Sequence, residues 1–146
     1  PLLKTSAIEL LKTKLMPTAY LVTPNIPEAE NLTGLKIKDI DTMLKAGQKL
    51  IKMGAENVLV KGGHLDSLTL YDVLVTPKNF EVFSTKKIDT KNTHGTGCTL
   101  ASAVACNLAN GLSLNEAVQK ATEYVAMAIK NAPNLGAGHG PLGHIF

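Results

Sequence analysis

The densest group of chemically useful residues is the segment Asp89–Thr99, DTKNTHGTGCT. Two glycines separated by Thr96 lead into a run of small residues, Leu100–Asn110, which predicts a helix ending at Gly111. A glycine-rich turn that opens a helix presents free backbone N–H groups, and the helix dipole favours negative charge there. The segment therefore predicts an anion-binding loop with Cys98 as the reactive side chain at its end.

This loop lacks the two best-known phosphate-binding signatures. No Gly-Lys-Ser/Thr sequence follows the glycines, so it is not a Walker A loop. Position 104 is Val and the chain has no arginine, which excludes a Cys-x5-Arg phosphatase loop. A tight turn that only packs small residues is the alternative, and the loop alone leaves both interpretations open.

Two further loops carry polar side chains after predicted buried strands. Asn25 and Glu28 follow the apolar run Ala19–Val22, and their oxygens are hard ligands suited to Mg²⁺. A carboxylate that only meets the helix dipole is the alternative for Glu28. Lys61 follows the run Asn57–Val60 and precedes two glycines, a place that suits a phosphate contact or a surface lysine.

Hydrophobic periodicity predicts the elements that position these loops. The order is α-β-α-α-β-β-β-α-α, which fits an α/β protein with helices packed on a sheet. The later elements are predicted at 28–32, 39–53, 67–75, 80–84 and 113–132, with 67–75 and 80–84 as a candidate hairpin. Ligands of open α/β sheets collect where strands end, and all three polar loops follow strands.

The composition indicates the size of the protein and excludes some classes of partner. The chain has 146 residues, about one domain, and 45% are hydrophobic. All 15 basic residues are lysine and no basic stripe is present, so we expect no nucleic-acid partner. No apolar run reaches the roughly 18 residues of a membrane span. Cys98 and Cys106 lie roughly 12 Å apart on one predicted helix, too far for a disulfide, which favours a cytoplasmic protein.

Taken together, the loops resemble the C-terminal part of a ribokinase-superfamily kinase. The subgroup they resemble most is hydroxymethylpyrimidine/phosphomethylpyrimidine kinase, of thiamine biosynthesis. The matching segments occur in the family's order across nearly the whole chain: Val22–Glu30, Val58–His64, His94–Leu100 and Gly138–Pro141. Most of the superfamily has an aspartate base where this subgroup, like this chain, has Cys98.

The resemblance implies a ribokinase-like α/β fold, a central and mostly parallel sheet between layers of helices. Residues 1–146 would form a single partial domain, the nucleotide and anion-loop side, with the N-terminal part missing. Because the chain begins at Pro1, we expect a fragment boundary or a truncated reading frame.

The implied reaction moves the ATP γ-phosphoryl group to 4-amino-5-hydroxymethyl-2-methylpyrimidine and then to its monophosphate. Pyridoxine/pyridoxal kinase activity is the nearest alternative, and an inactive remnant of a truncated or split kinase gene is the other.

The resemblance also assigns roles to individual residues. The N–H groups of Gly95, Thr96, Gly97 and Cys98 would stabilise the transferring phosphoryl group, with the thiol at the acceptor oxygen as base or positioning group. The remaining assignments are ATP contacts by Lys61, Thr96, Asn92 and His94, and organisation of Mg²⁺ by Asn25 and Glu28.

The expected partners are a small pyrimidine substrate and a second polypeptide. Loss of the family's N-terminal strands would expose a sheet edge and an apolar helix face. We therefore expect a homodimer or a complementing N-terminal fragment.

Overall fold

The computed structural model describes residues 5–63, 68–133 and 135–144, with only the backbone of residues 5 and 6. It divides into two compact units, Pro1–Ser84 and Thr85–Phe146. His64 of the matching segment and the predicted strand start at Ser67 lie outside the described residues. That all 146 residues form a single partial domain stays a prediction.

The described residues of the first unit form three α-helices. α1 spans Thr5–Leu10 and continues through a π-helical turn, Leu11–Leu15, and a 3₁₀ turn, Met16–Thr18. α2 spans Ile26–Thr33 and α3 spans Ile40–Lys52, close to the predicted bounds. α2 stops at Gly34, which takes the left-handed conformation that glycine adopts without strain (φ 72°).

A three-stranded sheet of order β1-β2-β3 lies in the same part of the chain: β1 is Val58–Lys61, β2 is Thr69–Val75 and β3 is Phe80–Lys86. β1 and β2 are antiparallel, and their register places Val58 opposite Val75 and Lys61 opposite Asp72. β3 is hydrogen-bonded to β2 after the short turn Thr76–Asn79, as expected for the predicted hairpin.

The prediction of a regular strand at Ala19–Val22 is wrong. The segment does run parallel to β1: Val22 N–H donates to the Asn57 carbonyl (3.0 Å) and Leu59 N–H donates to the Val22 carbonyl (2.8 Å). The next bond of a parallel ladder would need an N–H at Pro24, which proline lacks. The pairing is therefore reduced to isolated bridges.

The core of the first unit lies between α3 and the sheet. The buried stripe of α3 consists of Met43, Ala46, Gly47 and Leu50. It faces the apolar residues of β1 and β2, including Val60 and Val75, and the half-buried Ile40, Leu44 and Ile51 lie at its edge. Helices on a sheet confirm the α/β class predicted from the order of elements.

The second unit is a helix pair, α4 (Thr96–Ala109) and α5 (Leu114–Lys130). α4 buries Leu100 and Val104. α5 buries a stripe of small residues, Ala117, Val118, Ala121 and Ala128. Gly111 turns the chain between the helices with a positive φ of 84°, at the predicted stop. The tail packs back on α5, where Gly143 N–H donates to the Ala128 carbonyl (2.9 Å).

We predict that Gly47→Val destabilises the first unit strongly. A Cβ at this position would lie 2.5 Å from Val75 Cγ2, so the helix and strand must separate. Overpacking of this kind costs about 1–3 kcal/mol. Denaturant unfolding should show that loss, whereas the exposed neighbour variant Gln48→Val should lose only about 0.5 kcal/mol. Equal losses in both variants would contradict the close helix–sheet contact.

Candidate functional site

Asn25 and Glu28 form the start of α2. The Asn25 side chain accepts a hydrogen bond from Glu28 N–H (2.9 Å), and the Glu28 carboxylate accepts one from Asn25 N–H (2.8 Å). This reciprocal pair is a capping box, which satisfies two backbone donors that the helix itself cannot. Each side chain therefore has a structural role at the place where we predicted metal ligands.

Lys61 lies next to this cap. Lys61 N–H donates to the Pro24 carbonyl (2.9 Å), and Asn25 forms a parallel bridge with Lys61. The structure thus brings together Asn25, Glu28 and Lys61, which were predicted from two separate loops. They lie at the carboxyl end of β1, where α/β sheets bind ligands.

The donor set fits Mg²⁺ only if further oxygen ligands complete it. Glu28 is exposed, and one oxygen of each side chain is already used in the cap. Within the described residues, no group of three or more His, Cys, Asp or Glu side chains could hold a metal. Mg²⁺ commonly binds one or two carboxylates and completes its shell with waters and substrate phosphates. Asn25 and Glu28 suit that kind of site.

Sequence reasoning missed Asp72, which contacts the glycine turn after Lys61. Gly62 N–H donates to Asp72 Oδ1 (2.9 Å). Burial raises the pKa of the half-buried Asp72 carboxyl, while the Gly62 N–H and the nearby Lys61 oppose that rise. The available signal was a single charged residue within the otherwise neutral strand TLYDVLV.

In the second unit, α4 begins at Thr96, four residues before the predicted run. Gly95 is its N-cap, with a positive φ of 89° and no side-chain capping bond. Thr96 N–H and its hydroxyl both donate to the Thr93 carbonyl, and Thr99 N–H donates to the Gly95 carbonyl. Helix geometry therefore leaves the N–H groups of Gly97 and Cys98 without an intrahelical acceptor.

Cys98 is exposed in the first turn of α4. Its thiol and the two N–H groups lie at the positive end of the helix dipole, an arrangement that stabilises an anion. Cys106, two turns further along, is also an exposed free thiol. The predicted anion loop thus has the backbone conformation that its chemistry requires.

Asn92 and His94 precede this turn and contact the tail. His94 N–H donates to the Gly140 carbonyl (3.2 Å), and His94 forms a parallel bridge with Pro141. Asn92 is buried, and a Cβ at Gly140 would overlap its side-chain oxygen. A cavity of about 390 Å³ opens beside them, lined by Thr90, Lys91, Asn92, Gly136, Ala137 and Gly138.

The predicted site residues thus form two groups, one in each unit. The first group consists of the Asn25–Glu28 cap and Lys61, and the second consists of the start of α4 and the residues beside the cavity. Comparison with known proteins identifies the family of the chain that carries these two groups. The sequence profile of the phosphomethylpyrimidine kinase family matches residues 1–143.

The chain belongs to the phosphomethylpyrimidine kinase family.

Similar curated proteins carry related names. The chain is 51% identical over 145 residues to the thiamine biosynthesis bifunctional protein ThiED of Geobacter sulfurreducens, covering 99% of this chain and 30% of that protein. It is 42% identical over 144 residues to the hydroxymethylpyrimidine/phosphomethylpyrimidine kinase of Bacillus subtilis, covering 98% of this chain and 53% of that protein. The chain spans about half or less of the length of these relatives.

Solved structures show the same ribokinase-like fold. Pyridoxal kinase from Staphylococcus aureus in complex with AMP-PCP and pyridoxal matches with a TM-score of 0.93 at 38% identity, covering 99% of this chain and 54% of that one. Phosphomethylpyrimidine kinase from Clostridium difficile 630 matches with a TM-score of 0.74 at 42% identity, covering 88% and 51%. These matches confirm the predicted fold class. Through the described parts of the chain, each helix is too short or too polar to cross a membrane.

We predict that Asn25→Ala destabilises α2, whereas Asn25→Ser does not. Loss of an N-cap acceptor costs about 1 kcal/mol, and serine supplies a replacement oxygen. The free energies of unfolding from denaturant titration should differ between the two variants by that amount. Equal free energies would mean that the Asn25 side chain is not needed as a cap.

We also predict that Asp72→Asn stabilises the protein at neutral pH. Because the folded state raises the pKa of Asp72, the folded state binds this proton more tightly than the unfolded chain. Ionisation therefore lowers stability as the pH rises from the unfolded pKa, about 3.9, to the raised folded value. Asparagine avoids this loss and keeps an acceptor for Gly62.

Melting temperatures measured as a function of pH test whether ionisation of Asp72 lowers the stability of the fold. The variant should melt higher than wild type at pH 7, and the difference should vanish below about pH 3.9. Glu56→Gln, which neutralises an exposed carboxylate just before β1, should show no such trend. A lower melting temperature for Asp72→Asn at pH 7 would show that charge contacts outweigh burial.

Proposed function

We propose that this chain is the nucleotide and anion-loop part of a cytoplasmic kinase of thiamine biosynthesis. The complete enzyme transfers the ATP γ-phosphoryl group to the hydroxyl of 4-amino-5-hydroxymethyl-2-methylpyrimidine, and then a second phosphoryl group to the monophosphate. Family membership supports the reaction class, and the names of the curated relatives support the pyrimidine acceptor.

The observation that carries the proposal is the start of α4. The N–H groups of Gly97 and Cys98 lack intrahelical acceptors and lie beside an exposed thiol. Phosphoryl transfer depends mainly on positioning and on stabilising charge over the transferred group. Donors fixed before the reaction supply that stabilisation without reorganising.

In the proposed mechanism, the acceptor hydroxyl oxygen forms a bond to the γ-phosphorus as the bond to the β-bridging oxygen breaks and ADP leaves. Cys98 orients the acceptor hydroxyl or accepts its proton. The N–H groups of Gly97 and Cys98 bind the equatorial oxygens of the transferred group. As a base, Cys98 takes the proton of the acceptor hydroxyl. As a positioning group, it only bonds the hydroxyl, and the proton passes to a phosphate oxygen or to water.

In this proposal, Lys61 of the first unit and Thr96 of the second unit each contact the triphosphate. Asn92 and His94 position the anion loop beside the cavity. The S. aureus pyridoxal kinase complexes with AMP-PCP and with ADP support ATP as the donor. Mg²⁺ held near Asn25 and Glu28 would neutralise phosphate charge when bound.

There are two alternatives to this proposal. Pyridoxal kinases from S. aureus and B. subtilis match this chain with TM-scores of 0.93 and 0.91, so pyridoxal is a candidate acceptor. The inactive remnant of a split or truncated kinase gene stays the other alternative. For an active enzyme, we propose that a second polypeptide, a homodimer partner or an N-terminal fragment, completes the acceptor pocket.

Turnover assays test the proposal. ATP consumption is measured with hydroxymethylpyrimidine, its monophosphate and pyridoxal, with and without the N-terminal part of the B. subtilis relative. Cys98→Ala should lower kcat by about 10²–10⁴-fold, the usual contribution of a positioned acid–base group. Cys98→Asp should restore part of it, because aspartate also accepts a proton and bonds the acceptor hydroxyl.

Cys106→Ala is the matched control, since Cys106 is a second exposed thiol on the same helix. It should leave kcat unchanged. Absence of turnover with every acceptor, even with the added N-terminal part, would contradict kinase activity for this chain. Faster turnover with pyridoxal than with either pyrimidine would reassign the acceptor.

A further inference from the structure

Asp72 places a negative charge where an uncharged residue would be more stable. It lies half-buried between apolar neighbours in β2, and burial raises its pKa. An asparagine of the same shape could accept the hydrogen bond from Gly62 without the cost of burying a charge. A carboxyl buried at such a cost, directly opposite Lys61, points to function.

The Asp72 side chain acts on the turn that follows β1. Its Oδ1 accepts the Gly62 N–H at 2.9 Å. The β1–β2 register also places Asp72 directly opposite Lys61. Directly paired residues of antiparallel strands present their side chains on the same face of the sheet. The carboxylate therefore contacts the turn backbone and shares a sheet face with the Lys61 ammonium group.

The turn has little freedom to move away. A Cβ at Gly62 would overlap the Tyr71 carbonyl oxygen and lie 3.1 Å from Met43 Cε, so the backbone is pressed against β2. On the other side, Lys61 N–H is bonded to the Pro24 carbonyl. The turn is thus fixed between the α2 cap and β2, and Asp72 supplies its side-chain anchor on β2.

We propose that Asp72 is a positioning residue for the phosphate chain of the nucleotide. It anchors the turn Lys61–Gly63 through the Gly62 N–H, and its charge offsets part of the Lys61 charge. This inference rests on the proposed function, in which Lys61 lies at the triphosphate. It predicts opposite consequences for removing the charge and removing the anchor.

Calorimetric binding of ATP and of AMP, each with Mg²⁺, separates the two roles. Asp72→Asn keeps the acceptor and loses the negative charge, so ATP should bind about fivefold tighter than to wild type. AMP affinity should change less, because AMP lacks the terminal phosphates. Asp72→Ala also loses the anchor and should bind ATP about tenfold more weakly than Asp72→Asn.

Glu56→Gln is the matched charge control. Glu56 is exposed and lies just before β1, about 16 Å of extended chain from Lys61, beyond the screening length of about 8 Å. Its ATP affinity should equal that of wild type. If Asp72→Asn also equals wild type, Asp72 has no electrostatic role and the proposal is overturned.

Hydrogen exchange of the Gly62 amide tests the anchor independently of nucleotide. Exchange should be slow in wild type and Asp72→Asn, and about tenfold faster in Asp72→Ala. Unchanged exchange in Asp72→Ala overturns the positioning role. If wild type binds no ATP, the proposed function is contradicted, and the exchange rates then decide whether Asp72 holds the turn.

Discussion

Whether a side chain accepts the backbone N–H groups at a helix start decides whether those groups are available to a ligand. α2, α3 and α5 each begin with a capping box, at Asn25, Asp39 and Ser113, whose side chains accept N–H groups of the first turn. α4 begins at Gly95, which has no side-chain acceptor. Its first turn therefore presents unsatisfied donors, and an anion is the partner that the helix dipole favours.

The carboxyl end of β1 obeys a related constraint. Its backbone is hydrogen-bonded to Pro24 on one side and to Asp72 on the other, and Gly62 is the residue that allows the approach to Tyr71. These bonds place Lys61 beside Asn25 and Glu28 through backbone contacts. A turn whose backbone is already fixed loses little further backbone entropy on binding a ligand, which suits phosphate recognition.

The family match covers nearly all of this chain, but this chain covers only part of the relatives' length. The phosphomethylpyrimidine kinase profile matches nearly all of this chain, while the chain covers 53% of the B. subtilis relative. Both predicted groups of phosphate-side residues fall within the chain.

The sequence by itself determined the features that depend on near neighbours, namely the bounds of α3 and α5 and the stop at Gly111. It also contained the Asn25-x-x-Glu28 spacing of a capping box, although we interpreted those residues only as ligands or dipole partners. The family motifs could be identified in the sequence because each is a continuous segment. Local propensity, capping and turn chemistry act within a few residues, so the sequence specifies them directly.

Only the tertiary structure decided the contacts between distant segments. Pro24 reduced the predicted strand Ala19–Val22 to isolated bridges once the segment met β1. Asp72 became part of the site because the strand register placed it opposite Lys61 and within reach of Gly62. The cavity joins residues 90–92 to residues 136–138. Register and loop closure depend on the whole unit's packing, and that information is not local to any motif.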